Sequence, residues 1–232
     1  MSKGPSTRLR DWLLPAEASF AWLVVDDAGF DGLEPLLPGE GPGESSRWAP
    51  KRLREFRAGR QVLRRALHDI GHPAQPLPRD ADGLPRLPAE LAASLTHTGQ
   101  RTTFAAAAAL PTALGLGLDA EELRPFALEL SERILDVDER RALASHGSLD
   151  ALGLWAFSAK EAFYKCVYPR TRRFLEFQQV QVALVSRGEA DGEQWGEFVA
   201  RSAVSAQGGG PDELRVRVVA DASRVLSAAI WR

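Results

Sequence analysis

The chain has 232 residues, enough for one large domain or two small ones. Hydrophobic residues make up 44% and charged residues 26%, an ordinary globular balance for which disorder is not the default reading. The net charge of -2 excludes the global basic field of a nucleic-acid binder. A single cysteine, Cys166, rules out an internal disulfide framework and suits a reducing compartment. Met1 to Pro15 is charged and lacks the apolar run of a secretory signal, and no stretch approaches a membrane span. The expectation is a soluble cytoplasmic protein with no membrane and no nucleic-acid partner.

Phe20 to Val25 is a short run rich in β-formers and predicts a strand. Gly29 to Ser46, rich in Gly, Pro and acids, predicts a loop. Pro50 opens a helix that reaches about Ile70, and residues 71–90 are an irregular connection. Leu91 to Thr98 and Thr102 to Leu110 predict strands. The second contains the run Ala105–Ala109, which favours helix by propensity but is short and leads straight into another strand pattern. Ala113 to Glu121 alternates cleanly and predicts a strand. Asp136 and Glu139 make a capping box before a short helix that Gly147 ends. Ser148 caps a further helix running to Tyr168, where Pro169 stops it. Val180–Val185, Leu214–Val219 and Val225–Trp231 predict strands, and Gly208–Pro211 is a hairpin-like turn or loose loop. Helix and strands followed by helix and strands predict an α+β fold of two similar halves, residues 1–112 and 113–232, without a sequence repeat strong enough to prove duplication.

In the strand Ala113–Glu121, Leu114, Leu116, Leu118 and Ala120 share one face, and Gly115, Gly117, Asp119 and Glu121 the other. The two bare glycines leave room for a backbone or a ligand to come close. The two carboxylates lie roughly 7 Å apart on that face, where a hard cation such as magnesium would find oxygen ligands. Two solvated acids at a strand end would look the same. In the later helix, Ala159, Ala162, Phe163 and Cys166 form an apolar stripe, with Ser158, Glu161 and Lys165 opposite. Glu161 and Lys165 are one turn apart, and read alone they are a surface ion pair.

The helix from Lys51 to Leu67 carries Lys51, Arg52, Arg54, Arg57, Arg60, Arg64 and Arg65 against one acid, Glu55. A charge run usually means a solvated face. Here Leu53, Phe56, Leu63, Leu67 and Ile70 define the apolar stripe. Arg54, Arg57, Arg64 and Arg65 fall outside it, while Arg52 and Arg60 fall inside. An arginine on a buried stripe needs an anionic partner, either an acid such as Asp69 or a ligand phosphate.

Taken in order, these segments resemble a known family. Gly117-Leu118-Asp119-Ala120-Glu121, then Phe157-Ser158-Ala159-Lys160-Glu161 and Lys165, resemble the signature G-(I/V)-D-x-E and (F/W)-(S/C)-x-K-E-x-x-x-K of 4'-phosphopantetheinyl transferases. Upstream, Ser94-Leu95-Thr96-His97 resembles the family's S-x-T/S-H motif, and Gly83-Leu84-Pro85 its G-x-P step. Arg54-Glu55-Phe56-Arg57-Ala58-Gly59-Arg60 resembles the arginine-rich helix of the siderophore-synthase-type (Sfp-like) subgroup. Each motif alone is weak, and together they run in the family's order from about residue 50 to 180. Ala120 stands where a β-branched residue is usual, and Leu84 where a basic residue sometimes stands.

The resemblance implies an enzyme that moves phosphopantetheine from coenzyme A to a serine of an acyl or peptidyl carrier protein, releasing 3',5'-ADP. It implies a pseudo-twofold monomer of two α+β halves with the active site in the cleft between them. Asp119, Glu121 and Glu161 would then hold magnesium, or manganese in its place, with pyrophosphate oxygens completing the shell. Glu161 would also take the serine proton, and Lys165 would stabilise charge on the leaving phosphate. Arg52 and Arg60 would bind coenzyme A phosphate, and Thr96, His97, Arg79 and Lys160 would join them as substrate-binding residues. Arg79 sits in a proline-rich loop, where an exposed charge would look the same. Two other readings fit parts of the pattern: an inactive module that binds coenzyme A or a carrier protein, and a magnesium-dependent phosphohydrolase. The client pathway, whether fatty-acid, polyketide or nonribosomal-peptide, is not legible in the residues.

Overall fold

The computed structural model describes residues 5–26, 30–41, 48–190 and 192–232. The fold is α+β, with two antiparallel sheets. Cα packing divides it into two units: residues 16–113, and residues 5–15 together with 114–232. The first element, α1 (Thr7–Leu13), therefore belongs to the second unit, not to an N-terminal half. Ser6 caps it by accepting from the Leu9 N–H.

The first unit starts with β1 (Ser19–Asp26), crosses through α2 (Pro50–Asp69), and closes with β2 (Leu91–Thr98) and β3 (Thr102–Pro111). The strand order is β1-β3-β2, so the alanine-rich β3 is central and paired on both sides. Tertiary pairing overrides its helical propensity. Ala105, Ala107 and Ala109 pack in one core with Ala58, Val62, Leu63, Ala66 and Leu67 of α2. The expected loop from Gly29 to Ser46 lies partly outside the described residues. Residues 30–41 carry no helix or strand, and Arg57 donates to the carbonyls of Leu33 and Glu34 to bind them to α2.

The second unit begins with β4 (Gly115–Glu122). Next come α3 (Leu128–Ile134), which the sequence reading missed, and α4 (Val137–His146) with its capping box. The long α5 (Leu149–Thr171) follows. Ser148 stands at the N-cap of α5 without a side-chain capping bond. Pro169 does not stop the helix. It lies in the last turn, and α5 runs on to Arg172, a left-handed cap. The chain then forms β5 (Gln181–Ala190), β6 (Glu193–Arg201), α6 (Ala203–Gln207), β7 (Glu213–Ala220) and β8 (Arg224–Trp231). Strand β6 was also missed. The sheet order is β4-β8-β7-β6-β5.

Both units repeat one theme. A strand leads through a helix to a hairpin whose last strand inserts beside the first: β1, α2, β2, β3 in one, and β4, α5, β7, β8 in the other. The β5–β6 pair is an addition to the second. Its core gathers around α5, which is buried on nearly every side.

Candidate active site

Helix α5 lies directly on β4. A Cβ at Gly117 would fall 1.8 Å from the Ala162 carbonyl oxygen, and one at Gly115 would fall 2.3 Å from that of Cys166. The glycines are thus the reason helix and strand can touch. Four residues of helix rise about 6 Å, close to two residues of strand, so Cys166 and Ala162 stand over Gly115 and Gly117. One step further, Ser158 stands over Asp119, and its hydroxyl donates to Asp119 Oδ2 at 2.8 Å. Ser158 is therefore buried against β4, on the same side as Ala162 and Cys166 rather than opposite them.

Asp119 is 2% exposed, and its Oδ1 pairs with Lys165 Nζ at 2.6 Å. Glu121 and Glu161 are half-buried nearby. Burial, and then the Asp119 carboxylate, push the Glu121 carboxyl up to about 7, with Lys165 and Arg124 pulling the other way. Burial also raises Glu161, with Lys165 opposing and Asp119 adding to the rise. Lys165 is pulled down by burial, but Asp119, Glu161 and Glu121 outweigh this and hold it protonated above the usual lysine range. Asp119, Glu121, Glu161 and Lys165 are thus brought together, three carboxylates sharing one lysine. Among the described residues, no three acidic, His or Cys side chains already stand as a set of metal ligands. The Asp119 oxygens are turned instead to Lys165 and Ser158. The donor chemistry nevertheless fits magnesium: hard oxygen atoms with more negative charge than their surroundings neutralise.

Lys160 belongs elsewhere. Expected to bind substrate, it is 1% exposed, and its Nζ donates to Glu139 Oε2 and to the carbonyls of Ile134 and Phe177, at 2.8, 2.8 and 3.1 Å. All three ammonium protons are spent on protein acceptors. Glu139 in turn accepts from the Asp136 and Val182 N–H groups. The pair fastens α4, α5 and β5 together. The sequence showed Glu139 only as half of a capping box.

In the first unit, Arg60 is 3% exposed, and its Nε and Nη2 have no hydrogen-bond partner among the described residues. Its guanidinium lies over the Phe56 ring. Burial lowers its pKa to about 10, Glu40 opposes, and Arg79 and Arg64 add to the fall. Orphaned donors on a buried cation beside two more arginines describe a place for an anion. Arg79 is poised by a small hairpin: its Nε donates to the Gly83 carbonyl, and Gly83, at φ +85°, leaves room for the guanidinium. Arg52 is not buried. It stands in the first turn of α2, before the buried part begins, and lies over Trp48. Conversely, Arg54 and Arg64 are buried although the helical wheel placed them outside the stripe. Arg64 pairs with Glu34 and Glu40, and Arg54 Nε donates to Thr103 Oγ1. On β2, Thr96 is buried and His97 exposed, on opposite faces of the strand.

Two family models match this chain. One, described as the 4'-phosphopantetheinyl transferase N-terminal domain, matches residues 44–109. The other, the 4'-phosphopantetheinyl transferase superfamily, matches residues 115–219. The chain belongs to the 4'-phosphopantetheinyl transferase family, in its Sfp-type form, and is an enzyme that transfers phosphopantetheine from coenzyme A to carrier proteins. It is similar to the 4'-phosphopantetheinyl transferase Svp of Streptomyces mobaraensis, 33% identical over 171 residues, covering 71% of this chain and 69% of that protein. It is similar also to the 4'-phosphopantetheinyl transferase Npt of Nocardia iowensis, 35% identical over 61% of this chain and 64% of that one. With the 4'-phosphopantetheinyl transferase PptT of Mycobacterium tuberculosis, it shares 31% identity over 82% of each. Among the described residues, no helix is long and apolar enough to cross a membrane.

Proposed function

We propose that Asp119, Glu121 and Glu161 are the residues that would hold magnesium, or manganese, and that a serine of an acyl or peptidyl carrier protein attacks the pyrophosphate of coenzyme A at this site. The observation that carries this reading is the crowding of three carboxylates around one lysine, with two of their pKa values pushed up. Such a cluster is short of positive charge, and a cation would supply it. The ion would neutralise the pyrophosphate as the new bond forms. Glu161, the carboxylate on α5, takes the serine proton, directly or through water. Lys165 turns from Asp119 toward the leaving 3',5'-ADP and stabilises its growing charge.

Residues 1–112 supply phosphate binding and residues 113–232 the chemistry. Arg60, with its orphaned donors, takes a phosphate of coenzyme A, with Arg79, Thr96 and His97 contributing to substrate binding. The enzyme works as a monomer in the cytoplasm, a setting that suits its single unpaired cysteine.

The test is carrier loading followed by intact mass. With magnesium and coenzyme A, a panel of apo-carrier proteins from fatty-acid, polyketide and nonribosomal-peptide systems gains one phosphopantetheine per serine, and the carriers that respond identify the client pathway. Asp119→Ala stays folded and loses the transfer activity. An active Asp119→Ala overturns the metal assignment.

A further inference from the structure

Ser227 lies on β8, outside every motif legible in the sequence, and sits directly across the β4–β8 ladder from Asp119. Its Oγ is 2.8 Å from Ser158 Oγ, which is in turn 2.8 Å from Asp119 Oδ2. Ser227 and Ser158 are wholly shut off from solvent. On its strand Ser227 is flanked by Val225, Leu226, Ala228 and Ala229, so its hydroxyl is an isolated polar group in an apolar run. The direction of the chain follows from the inventory of protons. An ionised carboxylate can only accept, so Ser158 spends its one proton on Asp119. Ser227 must then donate to Ser158. Each bond polarises the next in a site of low dielectric.

We propose that Ser227 is a positioning residue for the divalent metal. Acting through Ser158, it fixes the rotation of the Asp119 carboxylate and occupies Oδ2. That leaves Oδ1, the oxygen now facing Lys165, as the one offered to the cation. Partners that orient a metal ligand from behind typically change metal affinity by about 10–100-fold when removed. The inference rests on the metal reading given under Proposed function.

Calorimetric titration of Mn2+ into the full chain with excess coenzyme A and no carrier tests it without turnover. Ser227→Ala weakens Mn2+ binding on the order of tenfold, and Ser158→Ala at least as much. The double variant is no weaker than Ser158→Ala alone, because Ser227 acts only through Ser158. Ser227→Cys, similar in size with a weaker donor, falls between wild type and Ser227→Ala, and thermal midpoints verify that each variant is folded. Wild-type Mn2+ affinity in Ser227→Ala overturns the proposal, and so do two penalties that multiply in the double variant, which mean general loosening. If Asp119→Ala binds Mn2+ as well as wild type does, the metal reading itself falls and takes this proposal with it.

Discussion

At Glu121, burial and the neighbouring Asp119 carboxylate raise the carboxyl from 4.5 to about 7. A carboxyl whose folded pKa lies above its unfolded value adds stability that is complete below the unfolded pKa and is lost as pH rises through the folded one. The metal-free protein should therefore lose stability between about pH 4.5 and 7, seen as a falling urea midpoint. Glu121→Gln flattens that fall. Lys160→Met leaves Glu139 buried without its cation and costs about 3–5 kcal/mol by urea unfolding. The family resemblance gave Lys160 a substrate-binding task, whereas its partner Glu139 sits on another helix, 21 residues away, where no helical wheel reaches. That Asp119, Glu121, Glu161 and Lys165 stand together was legible only in the order of the two family motifs, since segment by segment they read as strand-end acids and a surface ion pair.

Among the elements, the contact between α5 and β4 decides where the acids stand. Gly117→Ala places a methyl on the Ala162 carbonyl, so helix and strand must part. The expected loss is about 3 kcal/mol, measured by urea unfolding, together with most of the transfer activity. The alternation of β4 was readable, and so was the room its glycines leave. The burial of Ser158 was not, because a helix wrapped in protein has no solvent face for periodicity to find. In α2 the error had another source. Leu63 and Leu67 of the expected stripe are buried, but the large residues Leu53, Phe56 and Ile70 are only half-buried, and the rest of the seam runs through Ala58, Val62 and Ala66 against the alanines of β3. Small residues mark close approach, and a wheel weighted by side-chain size moves the stripe away from them. That shift hid Arg54 and Arg64 and wrongly buried Arg52.

For the molecule as a whole, the repeated strand–helix–hairpin theme was visible as element order but not as repeated residues, since the pairing scheme constrains topology more than identity. The place of α1 was invisible for a different reason. It packs on β6 and β7, with Trp12 against Trp195 and the Arg217 guanidinium donating to the Trp12 carbonyl, contacts that span nearly the whole length of the chain. The sole cysteine gives the second unit a property of its own. Cys166, on α5, is sealed against Gly115 of β4, and burial pushes its thiol up to about 12. Native protein should therefore resist iodoacetamide at neutral pH, and alkylation should proceed only as fast as this unit opens. Mass spectrometry of the alkylated fraction over time turns that sulfur into a stopwatch for unfolding. It needs no added probe, and it leaves the surface clear for a single engineered thiol to carry a dye.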